Sequence, residues 1–156
     1  MTKKSIARIG NVFCIEIDNC YKCFFQFIAY DRSQLNGQVI RVFKKRYPLD
    51  YLPNLDEIVQ DDVSFYSHTI IRFGLDNNVW YKVGNNPDKG DVDNIYFKLD
   101  GWKKKGRWKS WKINGDVEYS DTLPEDSVKY DYGFIFPYKD IAAKIKTGHY
   151  IGMTDD

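Results

Sequence analysis

The alternation of apolar and polar positions begins with a strand. Residues 12–17, Val-Phe-Cys-Ile-Glu-Ile, put Phe13, Ile15 and Ile17 on one face. Asp18 and Asn19 supply turn residues, and residues 21–30 form an aromatic second run. Tyr21, Cys23, Phe25, Phe27 and Ala29 share one side of it, and Phe24, Ile28 and Tyr30 the other. A run that is apolar on both parities reads as a strand buried on both faces. The two strands form a β-hairpin. Asn36-Gly37 is a turn dipeptide, and a third strand follows over 39–43. Three consecutive antiparallel strands this early imply a bent sheet or a small barrel-like sheet.

Further along, Pro48 and Pro53 punctuate the chain, and residues 56–60 fit one helical turn. The longest strand candidate is 63–73, with Phe65, Ile71 and Phe73 on one parity and Tyr66, His68, Ile70 and Arg72 on the other; Gly74 ends it. Shorter strands are predicted over 79–83, 95–99, 108–113 and 117–120, the last two paired across Asn114-Gly115. Residues 84–91 and 121–129 read as loops, and 132–136 as the last strand. Pro137 is placed at the first position of a helix over 138–146, whose Ile141, Ala142 and Ile145 share a face and whose C′ position is Gly148. The predicted class is α+β: a mostly antiparallel bent or barrel-like sheet of about seven strands with one C-terminal helix.

Composition narrows this. The 156 residues suit a single domain over 1–156. Lys+Arg 23 against Asp+Glu 22, with 17% aromatics, excludes an acidic disordered chain and a polybasic tail. No apolar run reaches the roughly 20 residues of a membrane-spanning helix, so no membrane partner is expected. The first ten residues carry basic groups but no apolar signal region, which points to a cytoplasmic protein.

The three cysteines, Cys14, Cys20 and Cys23, form one short cluster, which argues against a disulfide framework. Cys20-Tyr-Lys-Cys23 matches C-x-x-C, but in a strand residues three apart point to opposite faces. With only His68 and His149 far away, no metal and no cofactor are expected. His68 reads as a packed or hydrogen-bonded side chain. The acidic pairs Asp56-Glu57, Asp61-Asp62, Glu125-Asp126 and Asp155-Asp156 read as solvated, and no catalytic residue is assigned.

Residues 102–112 carry the strongest local signal. Trp102, Lys103, Lys104, Lys105, Arg107, Trp108 and Trp111 are the candidate partner-binding residues. Rings interleaved with cations serve single-stranded nucleic acid, because bases stack on rings and cations neutralise phosphates. The same residue types anchor protein interfaces. Trp108 and Trp111 differ by three, so one of them faces the core. The balanced charge speaks against a dedicated nucleic-acid binder. Four tryptophans and twelve tyrosines exceed what one core hides, which favours a protein-binding surface. Lys44-Lys45-Arg46 is a second basic cluster.

Ile9-Gly-Asn-Val-Phe-Cys-Ile-Glu-Ile-Asp18 followed by the aromatic run 21–30 resembles the opening of the immunity protein 26 family of bacterial polymorphic toxin systems. Asn11 replaces that family's usual Asp, and Cys20 stands where a turn glycine is common. Gly133-Phe-Ile-Phe-Pro137, leading into a short helix, is similar to the family's close. The resemblance implies a small cytoplasmic α+β protein that neutralises a cognate protein toxin by binding it, without catalysis, and it carries over no functional residues. The expectation is therefore a non-enzymatic protein-binding module. The alternatives are a single-stranded nucleic-acid-binding barrel using residues 102–112, and an enzyme pairing one of the thiols with a histidine.

Overall fold

A computed structural model describes residues 6–32, 35–101, 105–125 and 127–153. Over these the chain is α+β. The first sheet is built from β1 (Asn11–Ile17), β2 (Tyr21–Asp31), β3 (Gly37–Phe43), β4 (Val63–His68) and β5 (Trp80–Asn85), in the order β4-β3-β2-β1-β5 with every pair antiparallel. The second sheet holds β6 (Tyr96–Asp100), β7 (Trp108–Lys112), β8 (Val117–Ser120) and β9 (Tyr130–Tyr132), in the order β8-β7-β6-β9 with β6 and β9 parallel. Three helices complete the described residues: α1 (Leu55–Ile58), α2 (Ile71–Asp76) and α3 (Tyr138–Thr147). None of them is long and apolar enough to cross a membrane.

Register shifts at Val12/Phe13, Phe27/Ala29 and Val42/Phe43 bend the first sheet, which stays open rather than closing into a barrel. The shift after Phe27 also re-aims side chains. Ala29 packs with Ile28 toward the second sheet, while the Tyr30 ring lies against Phe27 at 5.2 Å. Strict alternation had assigned these two residues to the opposite sides.

Three apolar clusters hold the layers. Phe13, Ile15, Phe25, Phe27, Ile40 and Trp80 bury one face of the first sheet against α2 and α3. Val12, Cys14, Phe24 and Phe43 bury its other face under residues 47–59. Ile28 and Val39 meet Phe97, Trp111 and Ile113 of the second sheet. Strands β1 to β3 are thus covered on both sides, as the double apolar parity of residues 21–30 implied. Each fully buried Phe or Ile contributes about 1.5–3 kcal/mol relative to an exposed one.

Several expectations need correction. The run 63–73 is not one strand, because it turns after His68 and Ile71 starts α2. The backbone N–H of Ile71 is taken by the Gln38 side chain (2.9 Å), and Ile71 and Leu75 bury one face of the helix. The expected strand over 132–136 reduces to β9 and a single bridge from Ile135 to His68. Pro137 caps α3 from one position earlier than expected, while Gly148 ends the helix in the left-handed region, φ 88°. The short runs 79–83 and 117–120 pair as predicted, and the nine strands among the described residues fall in two sheets rather than in one of about seven.

Candidate functional site

The aromatic–basic segment comes first. Trp102, Lys103 and Lys104 lie outside the described residues. Trp111 faces inward at 3% exposure, and its indole N–H donates to Asp31 (2.8 Å). Its role is therefore to seal the layer between the sheets, which removes it from the candidate contact surface. Trp108 points to the opposite face of β7 and is half-buried. The Arg107 guanidinium sits 4.2 Å from its ring centroid and the Lys98 ammonium 5.1 Å. Lys98 also lies 5.0 Å from the Tyr132 ring. Arg107 donates to Asp100 (2.7 Å), and Lys105 rests over Tyr119 at 4.9 Å. Among the described residues, the rings and cations of this segment are largely engaged with one another.

The carboxylate nearest an imidazole is Asp31, and it lies inside the protein. His68 Nε2 donates to Asp31 Oδ2 at 2.9 Å, with both side chains 0% exposed. Trp111 Nε1 and the Asn114 backbone N–H (3.1 Å) also donate to it. Burial pushes the Asp31 carboxyl up, but the hydrogen bonds from His68, Trp111 and Asn114 outweigh it and hold it below the ordinary carboxylate range. The imidazole lies 4.2 Å from the Phe97 ring, centroid to centroid, tilted by 51°. His68 is thus packed and hydrogen-bonded, as its place on a strand suggested, and Asp31 is a partner the sequence did not reveal.

The cysteines are all free: Cys20 exposed in the β1–β2 turn, Cys14 and Cys23 buried on opposite faces of the first sheet. Burial pushes the Cys23 thiol up to about 11 and raises Cys14, so neither carries an activated thiolate at neutral pH. Of the acidic pairs, Asp61 accepts from the Lys45 backbone N–H (2.7 Å) and Glu57 pairs with the Lys45 side chain (3.5 Å). Asp126, Asp155 and Asp156 lie outside the described residues.

A surface that sequence reasoning missed lies where β4 ends. Two grooves, of about 180 and 420 Å³, share Thr69, Ile70 and Ile135. Phe73 and Tyr138 extend one of them, and Tyr30 and Arg72 the other. Ile70, Phe73 and Tyr30 are exposed here, Phe73 at 45%. No carboxylate lines either groove among the described residues, and the exposed Arg32 and Arg72 flank them through contacts with the Tyr30 and Phe73 rings. The surface is assembled from the end of β2, the β4–α2 corner and residues 135–138. Reading 63–73 as one strand hid that corner.

Comparison with family models, with curated proteins and with solved structures returned no match.

Proposed function

We propose that this chain is a non-enzymatic protein-binding module, an immunity protein that acts in the cytoplasm and neutralises a cognate bacterial toxin by covering part of its surface. The observation that carries this reading is the apolar ledge of Tyr30, Ile70 and Phe73, bordered by Arg32 and Arg72. Contiguous exposed apolar residues on a soluble surface mark contact sites, and aromatic rings with arginine are the groups that anchor them. The arginines favour a partner that surrounds an apolar knob with acidic residues. The resemblance of residues 9–30 and 133–137 to the immunity protein 26 family points the same way.

The nucleic-acid alternative draws less support. A base needs a bare ring face, and the Trp108 ring already carries Arg107 and Lys98.

The test is affinity for the toxin encoded beside this chain's gene, measured by calorimetry, together with growth rescue of cells expressing that toxin. Replacing Ile70 and Phe73 by serine is expected to weaken binding by about 30- to 1,000-fold, corresponding to about 2–4 kcal/mol, and to abolish rescue. Undiminished affinity in the folded double variant removes the ledge from the interface. No association of the wild-type chain with that toxin overturns the reading.

A further inference from the structure

The second basic cluster, Lys44-Lys45-Arg46, has no part in the ledge. The fold divides it. Lys45 turns toward Glu57, while Lys44 and Arg46 line a pocket of about 290 Å³ between the end of β3, the start of β4 and the last turn of α3. Lys144 and Lys146 line it from the helix side, and no carboxylate does so among the described residues. Lys146 reaches out to Asp18 at 2.7 Å. Lys144 is buried, with its ammonium 4.6 Å from the Tyr150 ring and 5.3 Å from the Phe65 ring. The Arg46 guanidinium sits 4.3 Å from the Tyr21 ring centroid and donates to the Ile145 carbonyl (3.5 Å), and no ion pair joins Lys44 or Arg46 to a carboxylate among the described residues. The floor is apolar, formed by Val42, Phe43 and Phe65. The Cys23 thiol there stays protonated and adds no negative charge.

The type of anion follows from the backbone. Buried phosphate ions characteristically rest on N–H groups at a helix N-terminus. Here α3 presents its C-terminus, so carbonyl oxygens face the pocket, and the positive charge sits on long side chains around the mouth. That spread suits an extended segment whose several carboxylates engage the cations together. Arg46 offers a planar fork for a bidentate carboxylate, and Lys44 a point charge beside it.

We propose that this pocket binds an acidic segment of a protein partner. The inference rests on the protein-binding reading and names the partner's chemistry at a second place on the surface, at the opposite end of α3 from the ledge.

The experiment follows backbone amide shifts by NMR while the whole chain is titrated with a blocked oligo-glutamate peptide, its glutamine counterpart, or inorganic phosphate. Saturable shifts at Cys23, Lys44, Arg46, Ser64 and Thr147 are expected with the glutamate peptide and not with the glutamine one. Lys44→Gln and Arg46→Gln, both at exposed positions that spare the fold, are each expected to weaken binding about fivefold. Lys45→Gln is expected to leave it unchanged. Shifts that miss the pocket, or that ignore both substitutions, overturn the proposal. So does phosphate matching the peptide at equal concentration, which would assign the site to a free oxyanion. The titration uses no toxin, so its failure removes the pocket and leaves the ledge standing. Failure of the ledge variants leaves the titration as it was.

Discussion

At the residue scale, Asp31 does more than any other single side chain to join the two sheets. It belongs to β2, and it accepts from His68 on β4, from Trp111 on β7 and from the Asn114 backbone. A buried carboxylate is tolerated only when donors replace the water it gave up. Asp31→Asn turns one acceptor into a donor facing donors, and is expected to cost about 3–5 kcal/mol in urea unfolding at neutral pH. The pH dependence has a defined sign. The folded Asp31 carboxyl titrates below its ordinary value, so its contribution is complete above the unfolded value of about 3.9 and disappears as pH falls through the lower folded value. The stability gap between wild type and Asp31→Asn is therefore expected to narrow below about pH 4. A gap that stays constant through the acid range would mean that Asp31 is not held as a carboxylate. Nothing local in the sequence announces this. Asp31 comes directly after the apolar run 21–30, where an acid reads as the start of a turn, and its partners come from far along the chain. The Gln26–Arg41 pair (2.9 Å), which holds the loop 86–88 through Asn86 O and Asp88 O, was hidden for the same reason.

At the scale of elements, legibility followed the range of the forces. The hairpin of β1 and β2, the strand β3 and the helix α3 rest on alternation, turn residues and caps, which are local. The segment after His68 was misread because Thr69, Ile70 and Ile71 favour extended backbone, whereas tertiary contacts decide otherwise. The deciding contact is with Trp80. Its indole donates to the Ile71 carbonyl (3.0 Å), and its ring lies directly on Gly74. A Cβ at Gly74 would sit 2.1 Å from the Trp80 ring, which is itself fully buried against Phe25 at 4.9 Å. Gly74→Ala should thus destabilise by about 1–3 kcal/mol despite alanine's better helix propensity. Thermal unfolding checks this, and a stabilised Gly74→Ala protein would show that the indole moves aside freely. The candidate ledge depends on the same corner, since α2 is what carries Phe73 to the surface beside residues 135–138.

At the scale of the whole molecule, the question is whether the two sheets unfold as one. Their separate pairing ladders allow each to open alone. Three links oppose that. The cluster of Ile28 and Val39 with Phe97 and Trp111 is shared between the sheets, Asp31 is bonded to both, and the segment after β9 returns to β4 through the His68–Ile135 bridge. The apolar face that the second sheet turns toward the first has no other cover among these clusters, so detaching it would expose Phe97 and Trp111 together and strip Asp31 of two donors. At about 1.5–3 kcal/mol for each large apolar side chain, that cost approaches the whole stability of a domain of this size. Native-state amide exchange is accordingly expected to give β2 and β7 the same opening free energy within about 1 kcal/mol. If β7 exchanged through a much cheaper opening while β2 stayed protected, the second sheet would be a separable layer, and Asp31 and the shared cluster would not be the ties described.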